Sequence, residues 1–410
     1  MNITGIVAEY NPFHKGHEYQ LSKAREKSKC EGIAVVMSGN YVQRGEPAII
    51  DKYKRAEAAI YGGADLVIEL PMPYSCQNAE LFALGAISEL KKLSISTLSF
   101  GCENDDTKLL VEIAKTQMNN KMYNQILKKE ISKGISYPTA VTNAINHLLG
   151  EKINNIIKSP NNILGIEYIK SCIKINLNCE IAPIKRIGKG YNDLNITGYY
   201  DSASAIRRSI LMDEKKTDLN SLTDVSIETL HKFYEMYGKF NSLDNYLNYI
   251  YYTILILGLE GLNNIYEVSE GLNNKIFSNV LKYVTVDDFI KSLKSKRYTY
   301  SKLRRILLNI LLGIQKSDIK SLISQDLYNN NKINYIKVLA FNDIGRKIIK
   351  EAKNNGTYII NRYADYKKSN INTKNSTCFK LTDKSTNIYY IPFNNAKVNE
   401  EYYLNAIYVK

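Results

Sequence analysis

The sequence predicts an α/β fold built on a Rossmann-like, doubly wound parallel sheet, and three observations support that prediction. Apolar β-type runs alternate with amphipathic helical stretches from residue 3 to residue 101. The run at 32–37 is continuously apolar, which is typical of a strand covered on both faces. A helical stretch separates each run from the next, and parallel neighbours need such a crossover.

The elements follow in chain order. Strands are predicted at 3–10, 32–37, 64–70 and 95–100, with Gly101 closing the fourth. Helices are predicted between them at 17–25, 52–61 and 80–91. Residues 105–168 are mainly helical, 179–187 return as a strand ending in Lys185-Arg186, and 201–211 begin another helix. Residues 226–323 show helical periodicity without a clear strand, and apolar runs at 338–341, 358–360 and 388–393 indicate a small mixed α/β end.

These patterns divide the chain into three parts. Residues 1–215 form the α/β domain, residues 216–330 a helical domain, and residues 331–410 a small α/β C-terminal part. Parallel α/β sheets bind ligands beyond the carboxyl ends of their strands, so the chemistry is expected in the first part.

The composition describes a basic globular protein. The 410 residues carry 55 Lys+Arg against 41 Asp+Glu, a formal charge of +14. A hydrophobic share of 44% excludes a disordered or fibrous chain. The charge is consistent with a polyanionic partner, and equally with the Lys-rich background of an AT-rich genome.

The sequence indicates a cytoplasmic protein without a membrane segment. The N-terminus lacks a secretory signal, and the apolar run at 249–259 is too short to cross a bilayer. The six cysteines form no C-x-x-C pair, so neither a disulfide framework nor a structural zinc site is supported.

The stretch at 5–17 carries the most chemistry. A strand leads through a turn containing Pro12 into His14-x-Gly16-His17, which opens a helix. The start of a helix offers free N–H groups and a positive dipole to phosphate, and Gly16 leaves room for a nucleotide. His14 and His17, three residues apart, can stabilise the charge that develops as an α-phosphorus is attacked. The alternatives are two surface histidines or a metal pair, although only Glu18 is near as a further ligand.

His-x-Gly-His after the first strand resembles the nucleotidyltransferase superfamily. The longer string GIVAEYNPFHKGHEYQL (5–21), followed by VMSGNYVQRGEP (36–47), resembles the tRNA(Met) cytidine acetate ligase family in particular. Further matches are GGADLVIELP (62–71), SFG (99–101), SPNNILG (159–165) and KRYT (296–299) with Arg304-Arg305. The resemblance covers most of the chain.

The resemblance implies a two-step reaction. Acetate attacks the α-phosphate of ATP to give acetyl-adenylate and pyrophosphate, and the exocyclic amine of the wobble cytidine in elongator tRNA(Met) then takes the acetyl group, which gives N4-acetylcytidine and AMP. It makes residues 1–215 a nucleotidyltransferase-like catalytic domain and 216–330 a tRNA-binding domain. Mg²⁺ is expected through the ATP phosphates, with no protein metal site, and neither DNA nor a membrane is expected as a partner.

The resemblance also implies which residues meet ATP. His14 and His17 are the catalytic pair, inside a contiguous ATP-binding stretch that comprises Val7, Ala8, Glu9, Tyr10, Asn11, Pro12, Phe13, His14, Lys15, Gly16, His17, Glu18, Tyr19 and Gln20. Gly101 and Asn162 are further ATP contacts on the same basis, although the residues alone are equally consistent with a strand-end glycine and a helix cap.

Two later segments are candidates for phosphate binding. Arg186 ends the late strand and can donate two hydrogen bonds to phosphate, or lie solvated on the surface. Residues 201–207 resemble the second superfamily signature, Ile-Ser-Ser-Thr-x-Ile-Arg, although Asp201 and Ala203 depart from it. Ser202, Ser204 and Arg207 match, while Ser202 is also a reasonable N-cap.

The run at 291–305 is the predicted tRNA contact. It holds seven basic residues, no acidic one and two tyrosines. Cations contact phosphates and tyrosines stack on unpaired bases. A solvated helix face in a Lys-rich protein is the alternative. The predicted RNA-binding residues are Lys294, Lys296, Arg297, Tyr298, Tyr300, Arg304 and Arg305.

Three functions therefore compete: the acetate ligase, a small-molecule adenylyltransferase of the same superfamily, and a non-catalytic RNA-binding protein. The basic helical part favours an RNA partner, and the two histidines around Gly16 favour catalysis. Only the ligase accounts for both features.

Overall fold

Strands from both the N-terminal and the C-terminal parts of the chain form one central sheet. The computed structural model describes residues 1–150, 153–187, 200–212, 219–269, 271–295, 298–324, 335–368, 376–395 and 399–410. The strands in these residues are β1 (Ile3–Ala8), β2 (Gly32–Ser38), β3 (Tyr41–Val42), β4 (Glu46–Pro47), β5 (Leu66–Leu70), β6 (Thr97–Cys102), β7 (Glu180–Lys185), β8 (Tyr335–Phe341), β9 (Tyr358–Ile360) and β10 (Ile407–Tyr408).

Helices cover the sheet and build the middle of the chain. Up to residue 212 they are α1 (Lys15–Ser28), α2 (Lys52–Tyr61), α3 (Ala79–Lys92), α4 (Thr107–Asn119), α5 (Lys121–Ser132), α6 (Tyr137–Leu149), α7 (Asn154–Ile157), α8 (Pro160–Lys174) and α9 (Ala203–Met212). Beyond it they are α10 (Asp224–Tyr237), α11 (Leu247–Asn264), α12 (Leu272–Ser278), α13 (Val286–Leu293), α14 (Tyr300–Leu312), α15 (Lys316–Ser324), α16 (Asp343–Asn354), α17 (Tyr363–Lys368), α18 (Ser376–Tyr390) and α19 (Glu400–Tyr403).

The predicted doubly wound sheet is confirmed. Five strands run parallel in the spatial order β5, β2, β1, β6, β7. The chain builds outward from β1 to β5 on one side and then returns to add β6 and β7 on the other. The strand order therefore reverses between β1 and β6, and a crevice opens there beyond the strand ends.

Alternating side chains bury both faces of the sheet. Ile6 and Val35 pack with α1 and α2 on one face, whereas Val7 and Val36 pack with α3, α8 and α16 on the other. This two-sided burial explains why the strands appear in the sequence as apolar runs.

The C-terminal part completes the same sheet instead of forming one of its own. β8 pairs antiparallel with β5, and β9 and β10 pair parallel with β8. The three-part division stays a prediction, but the last part shares hydrogen bonds with the first. The sequence pattern groups the run at 388–393 with the β-type segments, and this prediction is wrong. α18 extends to Tyr390 instead, because Tyr389 and Tyr390 pack into the helical core.

The helical prediction for 226–323 is confirmed by α10 to α15 within the described residues. Their apolar faces form one core with Tyr41 and Ile50 of the first part and Tyr389 of the last. No helix in the described ranges is long and apolar enough to cross a membrane.

Candidate active site

A cavity lies at the carboxyl ends of β1 and β6, where the strand order reverses. This is the position at which open α/β sheets bind ligands. Its walls come from seven segments of the chain, and they are Val7, Ala8, Glu9, Tyr10, Asn11, His14, His17, Gln20, Gln43, Arg44, Phe82, Phe100, Gly101, Asn161, Leu164, Tyr168, Arg186, Ser202, Ala203, Ser204 and Arg207.

His14 and His17 form a reciprocal capping box at the N-terminus of α1. The Nδ1 atom of His14 accepts from the Gly16 N–H at 3.0 Å, and Nδ1 of His17 accepts from the His14 N–H at 3.3 Å. Their rings stack with centroids 3.7 Å apart. Since each Nδ1 accepts a backbone N–H, the proton of each neutral ring sits on Nε2. The pair therefore offers two Nε2–H donors at a helix N-terminus.

Both rings are neutral in the free protein. Burial, together with the charges of Arg186 and Arg207, lowers the pKa of His14 to about 3, although Asp201 opposes the shift. Burial and the neighbouring His14 also hold the pKa of His17 well below its ordinary value. An arriving triphosphate opposes this effect, because its negative charge favours protonated imidazoles.

The turn after β1 presents polar groups to the cavity. Tyr10 adopts a left-handed backbone with φ of 47°, which turns the chain sharply out of the strand. Asn11 is buried, and its Oδ1 accepts from the Ile49 N–H at 2.8 Å. Its Nδ2 has no hydrogen-bond partner in the described part of the chain. A buried amide donor beside the cavity fits an anionic ligand.

Arg207 is held at the cavity by two acceptors. It donates from Nη1 to the Asn11 carbonyl at 2.7 Å and from Nη2 to Oε1 of Glu46 at 2.6 Å. The other oxygen of Glu46 accepts from Nη1 of Arg304 at 2.9 Å. Burial alone raises the pKa of Glu46, but Arg207, Arg304 and Arg44 hold it below its ordinary value.

The serines of the second signature lie at the start of α9, as predicted. Ser202 Oγ accepts from the Ala205 N–H at 3.2 Å, so it lines the cavity and caps the helix at once. Ser204 Oγ accepts from Arg44 at 3.4 Å. The cap and the cavity position are therefore compatible.

A second opening continues the cavity past Gly101. It is shared by His14, His17, Gln20, Gly101 and Arg186, and it also reaches Gly16, Tyr19, Ile184, Lys185, Ile187, Tyr200 and Asp201. A Cβ on Gly101 would lie 3.5 Å from Arg186, an ordinary contact, so no crowding in the free chain requires glycine there.

Most of the predicted ATP residues thus converge, and five lie elsewhere. Pro12 and Phe13 are buried, and the Phe13 ring packs against Gly62 and His17. Lys15 donates to the Asn220 carbonyl at 2.6 Å, and Glu18 is exposed.

Asn162 is the fifth. Its Oδ1 accepts from the Glu103 N–H at 2.9 Å and the Asn104 N–H at 3.2 Å, so it holds the loop after β6. The neighbouring Asn161 lines the cavity instead. A Ser-Pro-Asn-Asn string does not reveal which Asn faces the ligand, because that depends on the rotation of α8.

Sequence reasoning missed the apolar wall and the hairpin of β3 and β4. Phe82, Phe100, Leu164 and Tyr168 come from α3, β6 and α8 and carry no chemical signature of their own. Glu46 lies in the string at 36–47 that carries the resemblance, and only that string pointed to it.

The predicted RNA run is only partly exposed. Lys294 is exposed, and Lys296 and Arg297 lie outside the described residues. Tyr298 and Arg305 are buried, the first donating to the Ser269 carbonyl at 2.9 Å and the second 3.4 Å from Glu267.

Tyr300 and Arg304 lie between these extremes. The Arg304 guanidinium sits over the Tyr300 ring, 5.1 Å from its centroid, while it holds Glu46. Because Lys294 is exposed, Arg304 is half-buried and Arg305 is buried, the described part of the run is not one continuous cationic surface.

The cavity carries more cations than carboxylates. Among the described residues, Arg44, Arg186 and Arg207 line the main cavity with Glu9 as its one carboxylate, and Asp201 lies in the second opening. Within the described residues, no three His, Cys, Asp or Glu side chains come together as metal ligands. A magnesium ion that entered with a nucleotide would therefore be held by phosphates and water.

The crevice offers hydrogen-bond donors, among them Nδ2 of Asn11 and the Nε2–H groups of His14 and His17, which a triphosphate would satisfy. The fold and the cavity together therefore define the class of protein as a nucleotidyl transferase. The family model for "HIGH Nucleotidyl Transferase" matches residues 1–403.

Similar proteins narrow the class. The chain is 38% identical to the tRNA(Met) cytidine acetate ligase of Clostridium botulinum strain Loch Maree, covering 100% of this chain and 99% of that protein. It is 38% identical to the ligase of the same name from Thermoanaerobacter sp. strain X514, covering 97% of each. The chain belongs to the tRNA(Met) cytidine acetate ligase family.

Solved structures agree with this assignment. The apo crystal structure of Thermotoga maritima TmcAL superimposes with a TM-score of 0.92 at 30% identity, and each chain is covered completely. The same protein bound with alpha-thio ATP gives a TM-score of 0.89 at 29% identity, again over all of both chains.

Proposed function

We propose that this protein is an ATP-dependent ligase that activates acetate as acetyl-adenylate and transfers the acetyl group to the wobble cytidine of elongator tRNA(Met). The main support is the cavity at the β1/β6 switch point, where two imidazole donors face Arg186 and Arg207. The ATP analogue bound by the Thermotoga maritima protein agrees with a nucleotide in this fold.

In the first step an acetate oxygen attacks the α-phosphorus and the bond to the β-phosphate oxygen breaks, so pyrophosphate leaves. The Nε2–H groups of His14 and His17 donate to the phosphate oxygens as charge develops there. Arg207, oriented by Asn11 and Glu46, holds the departing phosphates. Ser202 and Ser204 lie beside it at the start of α9, whose dipole favours negative charge.

In the second step the cytidine amine attacks the acetyl carbon, and AMP leaves as the carbon–oxygen bond to phosphate breaks. The four apolar wall residues exclude water, which would otherwise hydrolyse the acetyl-adenylate.

Mg²⁺ joins the proposal as a companion of ATP. When bound, it supplies charge neutralisation for pyrophosphate. The residues that would meet the metal-bearing phosphates are Arg186, Arg207 and the α9 serines.

The tRNA contact is proposed along the start of α14 and the turn before it. Lys294 is exposed and Arg304 is half-buried next to the hairpin. Lys296 and Arg297 are adjacent in the sequence. Tyr300 stays a candidate stacking residue, while the buried Tyr298 and Arg305 support the surface from within. ATP, acetate and tRNA are all cytoplasmic, so we place the reaction there.

The test is transfer of radiolabelled acetate to elongator tRNA(Met), with a matched tRNA whose wobble cytidine is replaced by uridine. We expect label only on the cytidine-bearing tRNA, together with one AMP per acetyl group. Acetate-dependent pyrophosphate exchange without label on tRNA would favour a small-molecule adenylyltransferase. Binding of tRNA with neither activity would favour a non-catalytic RNA-binding protein.

A further inference from the structure

Glu9 is a carboxylate in a place where anions are expected to bind. It follows β1 directly and lines the cavity with His14, His17 and Arg207. No other described residue in the lining of the main cavity is acidic, and Asp201 lies in the second opening past Gly101. A carboxylate beside a triphosphate is repulsive, so its presence calls for a different partner.

One oxygen of Glu9 is used and the other is open. Oε1 accepts from the Gln43 N–H at 3.0 Å, which fixes the carboxylate against the β3–β4 hairpin. Among the residues that the structure describes, no donor is recorded for Oε2. An ionised carboxylate only accepts hydrogen bonds, so an N–H donor is the ligand group that complements it.

The groups around Glu9 set the pKa of its carboxyl. Burial raises the pKa of its carboxyl above the ordinary value, while Arg44 and Arg207 oppose the shift and Glu46 adds to it. Arg55 of α2 donates to its backbone carbonyl at 2.6 Å, and Tyr168 faces it from α8. A partly buried carboxylate with a raised pKa suits proton abstraction at neutral pH.

We propose that Glu9 binds the exocyclic amine of the acceptor cytosine and acts as the general base for its acetylation. The inference rests on the proposed function and assigns the acceptor half of the same cavity. Carboxylates are natural acceptors for the N4 amine of cytosine. Arg44, on the hairpin that fixes Glu9, is the nearby donor suited to the cytosine carbonyl oxygen.

The chemical step balances without a further reactant. The N4 lone pair forms a bond to the acetyl carbon, and the carbon–oxygen bond to AMP breaks with its electrons passing to the phosphate. One N4 proton moves to Oε2 of Glu9. The products are N4-acetylcytidine, AMP and neutral Glu9, which later releases its proton to solvent.

The experiment separates the two halves of the reaction in Glu9→Gln, which keeps an acceptor for the Gln43 N–H. Hydroxylamine traps the activated acetyl group as acetohydroxamate without needing cytidine. Single-turnover acetylation of tRNA measures the second half. We expect Glu9→Gln to form acetohydroxamate at nearly the wild-type rate but to acetylate tRNA about 10²–10⁴-fold more slowly. Glu26→Gln, on the exposed face of α1, is the matched control and should leave both rates unchanged.

The outcomes are distinguishable. Equal loss of both activities in Glu9→Gln would place Glu9 in ATP chemistry and overturn the inference, as would an unchanged rate of tRNA acetylation. Wild-type protein that yields no acetohydroxamate would overturn the proposed function and this inference together. Thermal unfolding of Glu9→Gln within a few degrees of the wild type is required before the rates are compared.

The pH profile of the transfer rate distinguishes a general base from a residue with only a structural role. The wild-type transfer rate should rise with pH as Glu9 ionises and then level off. Glu9→Gln should lack that rising limb, and Glu9→Asp should keep it at a reduced rate. A rising limb that survives in Glu9→Gln would assign the base to another group and overturn the inference.

Discussion

Two clusters of charged side chains in this protein differ in burial and in charge balance: one is buried and the other is partly exposed. The closed cluster consists of Lys52, Glu69, Lys337 and Glu401, which are between 0% and 6% exposed. The open cluster consists of Glu9, Arg44, Glu46, Arg207 and Arg304 around the cavity. The closed cluster pairs two ammonium groups with two carboxylates, whereas the open cluster has three guanidinium groups for two carboxylates.

The difference shows what each cluster is for. Lys52 bridges Glu69 and Glu401, and Lys337 also pairs with Glu401, so α19 is tied to α2, β5 and β8. Tyr53 and Thr386 add hydrogen bonds to the same carboxylate. A neutral and satisfied cluster supports the fold, while an excess of cations beside a cavity prepares a place for an anion.

The largest expected effect is a loss of stability when the closed cluster is broken. Glu401→Gln leaves the buried Lys52 and Lys337 without a shared carboxylate and should lower the free energy of unfolding by about 3–5 kcal/mol. Chemical denaturation measures this value, and ATP affinity per folded molecule should not change. Glu26→Gln, which breaks an exposed pair with Lys23, should cost less than about 1 kcal/mol. A similar cost for both variants would contradict the structural role.

The second effect is on catalysis. His14→Asn keeps an N-cap for α1 but removes the Nε2–H donor, so acetate-dependent pyrophosphate exchange should fall about 10²–10³-fold. Stability should change little. Exchange that persists near the wild-type rate would mean that His14 only caps the helix.

The third effect tests how Arg207 is held. Arg207→Lys cannot donate to both Asn11 and Glu46 in the fork geometry of a guanidinium, so the KM for ATP should rise about tenfold. Arg208→Lys, one residue along α9 and exposed, is the control. If both variants shifted KM equally, the general charge of α9 would explain the effect better than the bridge.

The smallest effect is a pH dependence of stability. The pKa of His14 lies at about 3 in the folded chain against 6.5 in the unfolded one, so the unfolded state binds the proton first. Stability from this group is complete above pH 6.5 and is lost as the pH falls toward 3. From pH 7.5 to 5.5 the loss should be about 1 kcal/mol, and smaller in His14→Asn. An equal loss in both proteins would assign it to other groups.

Local patterns predicted the elements well, and they placed the turn of His14 and His17 at the start of α1, where it lines the cavity. The apolar runs gave the strands, and His14-x-Gly16-His17 gave the cavity wall, because strand periodicity and a helix start depend on neighbouring residues. Long-range pairing gave no such signal. The bond from Arg304 to Glu46 spans 258 positions, and the antiparallel addition of β8 to β5 spans a similar distance.

Burial of charged and aromatic residues was also invisible in the sequence. Counting cations in 291–305 could not show that Arg305 turns inward to Glu267 or that Tyr298 joins the helical core. Which side of a helix faces solvent is decided by partners that come from elsewhere in the chain.

Gly45, at the tip of the β3–β4 hairpin, allows the hairpin to pack closely against the backbone of α14. Its φ is 79°, and a Cβ there would come within 2.5 Å of the backbone of Arg305. The hairpin thus packs directly on the second turn of α14; its Gln43 N–H binds Glu9 and its Glu46 binds Arg304. On the proposed function, an RNA strand held by α14 would meet the cavity at a reach that the hairpin sets, and lengthening the hairpin by one residue should misplace the acceptor base.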